Sequence, residues 1–201
     1  EFQGSYGQIS PTANLMTESA LASVFSRFTY DFGKKYFFTL NYRRDGNSAL
    51  GSGKKYGNFG GVSGGWSLSE EDFYKHSKLA DIMSSVKLRA SWGRVGNSGV
   101  SAYGSLALYE SGLYAAVPTW NFSQGGNPDL GWETSNQTNV GADVSFLNDR
   151  ITLEATYYAN SVNGLILNVP QSPSKGIPGD AIFMNIGAMY NHGIELGVNA
   201  N

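Results

Sequence analysis

Carboxylates are the side chains of this sequence best suited to acid–base chemistry. Glu70, Glu71 and Asp72 follow one another directly. A glycan hydrolase needs two carboxyl groups on opposite sides of the scissile bond, and three consecutive positions do not supply that arrangement. We interpret the acidic run as a solvated turn or a helix start, and we predict no catalytic residue and no enzymatic activity.

Metal and cofactor chemistry also has little support. The chain has no Cys, and His76 and His192 are its only imidazoles. A lone histidine near a strand end, as at His192, fits a structural or exposed position better than a ligand. The run Asp45-Gly46-Asn47 begins like a calcium loop, but Ala49 and Leu50 stand where that loop requires a ligand and a glycine. We predict no metal ion and no cofactor.

Glycine is abundant, at 26 of 201 residues, nearly twice the usual share of about 7%. Six consecutive positions, 60–65, read GGVSGG. They do not match the G-x-G-x-x-G dinucleotide fingerprint and no helix pattern follows them. Small residues in a packed, curved strand explain the run better.

Composition excludes several classes of protein. Charged residues make up 15% of the chain, against about 25% in an ordinary soluble domain. The longest apolar run covers only residues 113–117, far short of a membrane-spanning helix. A net charge of -2 gives no electrostatic reason to bind nucleic acid. The sequence opens at Glu1 without a targeting pattern, so we expect residues 1–201 to be a piece of a longer chain.

Alternation with a period of two is the strongest signal in the chain. Apolar residues face one way and mostly polar or small residues the other, which predicts an all-β protein. One short helix is predicted at residues 70–83, with Ser69 as its cap. The predicted strands are 22–30, 36–43, 61–68, 86–93, 139–146, 151–158 and 194–200.

The connections between these strands differ in length at the two ends of the predicted sheet. Short links fall at 33–35 and 148–150, with an intermediate one at 69–85, and long links alternate with them at 44–57, 94–131 and 159–182. Short turns at one end and long loops at the other are typical of an antiparallel transmembrane β-barrel. A soluble β-sandwich, with shorter links at both ends, is the alternative.

Aromatic residues near the predicted strand ends favour the same interpretation, because barrels carry aromatic girdles at both membrane interfaces. An ordinary aromatic core is the other explanation. The residues concerned are Tyr30, Tyr36, Tyr42, Trp66, Trp92, Trp132 and Tyr157.

Six segments form an ordered set of motifs that together cover about residues 20 to 200. They are 42–48 (YRRDGNS), 65–71 (GWSLSEE), 86–93 (VKLRASWG), 127–134 (NPDLGWET), 148–153 (NDRITL) and 185–196 (NIGAMYNHGIEL). This ordered set resembles the SusC/RagA-like TonB-dependent outer-membrane transporters of the Bacteroidetes.

The resemblance implies that residues 1–201 form about seven strands of a 22-stranded barrel in the bacterial outer membrane. In such transporters an amino-terminal plug, absent from this sequence, closes the lumen. A SusD-like surface lipoprotein acts as a lid, and TonB supplies force through regions outside this segment. The implied function is import of an oligosaccharide or peptide. A soluble carbohydrate-binding β-sandwich is the alternative function.

Recognition residues are expected in the long loop 94–131. Aromatic side chains there alternate with Ser, Asn and Gln, a mixture that suits sugar rings, peptides or protein docking and also a loop folded on itself. Trimming residues 101–122 is expected to spare barrel assembly and to weaken lid docking or cargo capture. The candidate contacts are Tyr103, Tyr109, Tyr114, Trp120 and Phe122.

Overall fold

The computed structural model describes residues 16–115 and 117–200, and within them it is built from β-strands. Seven strands form one antiparallel sheet in the order β1-β2-β3-β4-β7-β8-β9, and β5 pairs with β6 in a separate hairpin. The strands are β1 (Leu21–Phe32), β2 (Tyr36–Asn47), β3 (Tyr56–Ser67), β4 (Met83–Asn97), β5 (Leu108–Tyr114), β6 (Val117–Gln124), β7 (Glu133–Phe146), β8 (Ile151–Pro170) and β9 (Ala181–Ala200).

The two faces of the sheet carry different kinds of side chain, which confirms the predicted alternation. The register aligns Phe28, Leu40, Val62 and Trp92 on one face, which we call the apolar face. The neighbouring positions, such as the aligned Thr39, Ser63, Ser91 and Asn139, form the opposite, polar face.

Most of the apolar face is uncovered in the described part of the chain, although Val86, near the tight-turn end, is buried. Leu196 and Ile194, for example, are 77% and 71% exposed. A β-sandwich would bury this face against a second sheet. No second sheet packs on it among the described residues, so the architecture is that of an open sheet and not of the sandwich considered above.

Tight turns join the strands at one end of the sheet. The Lys35 N–H donates to the Phe32 carbonyl (3.0 Å), and Gly33 and Lys34 between them have φ of +59° and +58°. Left-handed residues at both central positions match the twist of a two-residue hairpin. The β7–β8 turn likewise has positive φ at residues 147–149.

The helix predicted at residues 70–83 is much shorter in the structure. A 3-10 turn (Leu68–Glu70) precedes a single helical turn, α1 (Asp72–Lys75). Glu71, not Ser69, is the N-cap, and it makes no side-chain capping bond because its carboxylate contacts the sheet instead. None of the helices in the described segments is long and apolar enough to span a membrane.

Strands β8 and β9 run well past their predicted ends. Residues 159–182 were expected to be a loop, yet β8 continues to Pro170 and β9 begins at Ala181. The register shifts near Gly164, whose φ is +66°. The alternation is lost beyond that irregularity, although backbone pairing continues, and only residues 171–180 remain as the connection. Strands β2 and β4 also extend, to Asn47 and Asn97.

Candidate functional site

Loops at the end opposite the tight turns pack around two leucines. Leu50, from the β2–β3 connection, and Leu130, just before β7, are both fully buried. The Gly51 N–H donates to the Leu130 carbonyl (2.8 Å), which joins the two loops directly. We call this loop core, built on residues 47–51, 105 and 127–132, the clasp.

Ser105 is the middle residue of the clasp. Its N–H donates to the Ala49 carbonyl (3.1 Å), and its carbonyl accepts from the Asn127 N–H (3.0 Å). Segment 98–107 is therefore tied to both neighbouring loops. The proposed trimming of residues 101–122 would remove this tie as well as the exposed aromatic residues.

Two asparagines fasten the clasp to the outer part of β9. The Asn127 Nδ2 donates to the Phe183 carbonyl (2.8 Å), and its Oδ1 accepts from the Asp129 N–H (3.0 Å). The Asn185 Nδ2 donates to the carbonyls of Gly131 (3.0 Å) and Gly164 (2.9 Å). An Asn immediately before Pro128 is a turn signal, so the sequence carried a cue to the first of these residues.

Trp132 belongs to the clasp and not to an aromatic girdle, which corrects its predicted place. Its Nε1 donates to the Lys55 carbonyl (3.0 Å), and its ring meets Phe59 edge-on at 5.2 Å. Phe59 lies on the polar face, because it pairs with Arg43 in the register. The indole position just before β7 resembled a strand end in sequence, but its partly buried N–H finds its partner among the loops.

The remaining aromatic residues of the predicted girdles lie on the apolar face. Three of them, Tyr30, Tyr36 and Trp66, form a row at the tight-turn end together with Phe32, which was not predicted there. Successive ring centroids in this row are 6.3–6.4 Å apart. Tyr42, Trp92 and Tyr157 occupy the same face further from the tight turns.

The β5–β6 hairpin projects from the clasp and carries most of the candidate recognition residues. Gln124, at its base, donates from Nε2 to the carbonyls of Tyr103 (3.1 Å) and Leu106 (3.0 Å). The register places Tyr109 opposite Phe122 and Ser111 opposite Trp120 on one hairpin face.

Three of the five candidates are brought together on that face. The rings of Tyr109 and Phe122 are 5.3 Å apart, and Trp120 is 78% exposed. Tyr114 lies on the opposite face, paired with Val117. Tyr103 lies below the hairpin, half-buried, and its hydroxyl accepts from the Glu18 N–H (3.1 Å).

A second candidate surface lies on the polar face of the main sheet, where glycines replace side chains. A depression of about 310 Å³ is lined by Gly65 and Gly141 together with Arg89. The Arg89 Nε pairs with Asp143 (3.1 Å), and one of its terminal nitrogens donates to the Thr156 hydroxyl (2.7 Å). This polar depression was not predicted, although glycines recurring at polar-face positions are the signal that could have indicated it.

Two carboxylates of the acidic run, those of Glu70 and Glu71, are bound by neighbouring side chains. The Glu71 carboxylate accepts from the Tyr36 hydroxyl (2.6 Å) and the Trp66 Nε1 (3.2 Å) and pairs with Lys35 (3.1 Å). These donors, the Tyr36 hydroxyl first, hold the pKa of Glu71 below its ordinary value. Glu70 pairs with Lys75 (2.9 Å).

Metal-binding residues do not cluster in the described ranges: no three His, Cys, Asp or Glu side chains converge there on a common point. Asp45, from the run that begins like a calcium loop, pairs with Arg43 (2.6 Å). His192 lies between Tyr190 and Tyr157 on the apolar face, with ring centroids 5.3 and 6.5 Å away.

Known proteins match the chain along most of its length. The family model described as "TonB dependent receptor-like, beta-barrel" matches residues 2–201. TonB-dependent receptor P39 of Formosa agariphila is 36% identical over 193 residues, covering 96% of this chain and 18% of the receptor. TonB-dependent receptor SusC of Bacteroides thetaiotaomicron is 31% identical over 192 residues, covering 92% of this chain and 19% of SusC.

The fold agrees with these relatives. A structure of the RagAB peptide transporter superposes with a TM-score of 0.81 at 30% identity, covering 90% of this chain and 20% of that one. The chain thus spans about a fifth of the length of the proteins it matches, which explains why its sheet is open. The resemblance identified from the sequence motifs is confirmed: the chain is SusC/RagA-like and belongs to the TonB-dependent receptor β-barrel family.

Proposed function

We propose that this chain is part of an importer that carries an oligosaccharide or peptide across the bacterial outer membrane. The observation that carries the proposal is the two-faced sheet, in a chain that belongs to a family of TonB-dependent receptors. Its uncovered apolar face suits lipid, and its polar face, with the Arg89–Asp143 pair and the glycine-lined depression, suits a hydrated lumen.

The partners follow from the same family. TonB would act through parts of the complete protein outside residues 1–201, and those parts would also supply the plug. A SusD-like lipoprotein would cover the long-loop end. One solved relative is described as a peptide importer, which supports peptide as a cargo class beside oligosaccharide. The relatives are receptors and transporters, so we propose no covalent chemistry.

Labelling of adjacent residues tests the assignment of the two faces. Leu88 lies on the apolar face and Arg89 on the polar face of β4. In a Cys-free complete transporter in vesicles, a cysteine at Arg89 is expected to react with a water-soluble thiol reagent at least tenfold faster than one at Leu88. Equal reactivity would contradict the membrane placement and favour a solvated sheet.

The β5–β6 hairpin is the segment we assign to lid docking or cargo capture. One of its faces carries Tyr109, Trp120 and Phe122, and its base is held by the clasp. Aromatic side chains that remain exposed on a fixed support are typical of binding surfaces.

Opposite faces of the hairpin provide a matched experiment. Tyr109→Ser with Trp120→Ser removes aromatic area from one face. Glu110→Ser with Asn121→Ser instead alters the other face, in the one row that lies between them. We expect only the first pair to reduce co-purification of the lipoprotein or nutrient uptake, with heat-modifiable gel mobility unchanged in both. Normal association and uptake in the first variant would remove the hairpin from this role.

A further inference from the structure

The β3–β4 connection, residues 68–82, is the longest link at the tight-turn end, and it lies against the apolar side of the sheet. Its Glu71 carboxylate accepts hydrogen bonds from Tyr36 and Trp66. Both aromatic side chains belong to the apolar face, where they stack at 6.3 Å. The start of the connection is therefore held under the aromatic row that borders that face.

Three large apolar side chains of this connection are exposed to solvent, although the neighbouring Tyr74 is buried. Tyr74 is buried, and its hydroxyl donates to the Met83 carbonyl (3.0 Å), so the segment has an anchored interior. Phe73, Leu79 and Ile82 are 64%, 52% and 59% exposed. These three exposed side chains all belong to one short stretch of the connection, residues 73–82.

Missing barrel strands do not account for this exposure. The flanking strands β3 and β4 lie inside the sheet, with β2 and β7 beyond them, and the sheet edges are β1 and β9. The neighbouring turns at 33–35 and 147–150 are both present. Any strand added to complete the barrel would pair at the distant edges.

The charges around these exposed side chains are balanced, so they favour neither an acidic nor a basic partner. Residues 68–82 contain Glu70, Glu71, Asp72 and Asp81 against Lys75 and Lys78, and the adjacent turn adds Lys34 and Lys35, so four negative charges meet four positive ones. A partner that covers the exposed side chains must therefore be held by apolar contact, in a layer that also accepts charged and aromatic groups.

We propose that residues 68–82 form an interfacial anchor, with Phe73, Leu79 and Ile82 inserted at the boundary between lipid headgroups and acyl chains. The proposal rests on the membrane placement proposed above, because Glu71 ties the start of this segment to Tyr36 and Trp66 of the aromatic row. Interfacial segments of this kind bury their apolar side chains about 5–10 Å deep. The balanced charge means that zwitterionic phospholipid is sufficient.

Depth-dependent fluorescence quenching tests the anchor in the complete transporter with native cysteines removed. Single cysteines at Phe73, Leu79, Ile82, Asp81 and Leu88 are labelled with an environment-sensitive fluorophore, and the protein is reconstituted in phosphatidylcholine vesicles with or without nitroxide-labelled lipid. Asp81 is the polar control within the segment, and Leu88 is the control on the apolar sheet face. Heat-modifiable gel mobility checks folding of each variant.

Quenching at residues 73, 79 and 82 by a nitroxide near the headgroup is expected to exceed that at residue 81 at least twofold. Leu88 is expected to be quenched by a nitroxide on an acyl chain. If Leu88 is quenched but residues 73, 79 and 82 behave like residue 81, the anchor is wrong and the membrane placement stands. If Leu88 is also unquenched, the membrane placement itself is wrong.

Discussion

The side chain of Asn185 pairs with the backbone of Gly131 as one peptide group pairs with another. The Gly131 N–H donates to the Asn185 Oδ1 (2.8 Å), and the Asn185 Nδ2 donates back to the Gly131 carbonyl (3.0 Å). This two-way bond joins β9 to the end of the clasp. It supports the candidate hairpin indirectly, because the loop that carries the hairpin ends there.

Asn185→Ala is expected to destabilise the clasp by about 2 to 4 kcal/mol, since it removes three hydrogen bonds and leaves polar backbone groups without partners. Hydrogen exchange in residues 127–131 and proteolysis of the loops of the complete transporter would measure the loss. Asn168→Ala is the control, because Asn168 is an exposed asparagine on β8, the strand that pairs with β9. Equal protection in the two variants would show that the clasp does not depend on Asn185.

Gly51→Ala is expected to disrupt the contact between Gly51 and Leu130. A Cβ at residue 51 would lie 1.9 Å from the Pro128 carbonyl oxygen, whereas one at Gly53 would meet nothing within 4 Å. Overpacking of this kind destabilises by about 1 to 3 kcal/mol, and Gly53→Ala should change stability by no more than about 0.5 kcal/mol. Thermal unfolding with loop proteolysis would compare them. A Gly51→Ala variant as stable as Gly53→Ala would disprove the close approach.

Val144→Arg and Asp143→Asn are adjacent changes on opposite faces of β7. Arginine at a lipid-facing position costs about 2 to 4 kcal/mol at the membrane midplane and about 0 to 1 kcal/mol near the interfaces. Val144 lies two residues before the end of β7, so the cost of Val144→Arg should fall between these limits. Loss of the partly exposed Asp143–Arg89 pair should cost less than about 1 kcal/mol. Reversible folding of the complete protein into vesicles, followed by denaturant titration, would separate the two. Similar small effects would contradict the assignment of faces.

Acidification is expected to weaken the tight-turn end through Glu71. Its pKa lies below the ordinary 4.5 in the folded protein, mainly because the Tyr36 hydroxyl donates to the carboxylate. A lowered carboxyl pKa gives stability that is present above the unfolded-state pKa and lost as pH falls through the folded-state value. Thermal midpoints of the complete transporter between pH 7 and pH 3 would measure this loss.

Substitution separates Glu71 from the other acids of that segment. Glu71→Gln should flatten the pH dependence of the thermal midpoint below pH 5. An unaltered slope in Glu71→Gln would assign the acid sensitivity elsewhere.

Alternation and loop lengths were enough to predict the main sheet, because a strand between lipid and water must present one kind of side chain to each side. Leu88 and Arg89 could therefore be assigned to opposite faces from sequence. The family was recognisable from ordered motifs, yet the roles of Asn127 and Asn185 within those motifs were not.

Tertiary structure decided what the pattern leaves open. Beyond Gly164, the side chains of β8 and β9 do not alternate, so the sequence pattern could not predict these parts of the strands. Backbone hydrogen bonds continue the pairing there. Trp132 was predicted to belong to a girdle, but it lies in the clasp. Its N–H donates there to the carbonyl of Lys55, a residue 77 positions away in the sequence. Periodicity in sequence reports local exposure, whereas contacts between distant loops depend on which backbone groups the completed sheet brings together.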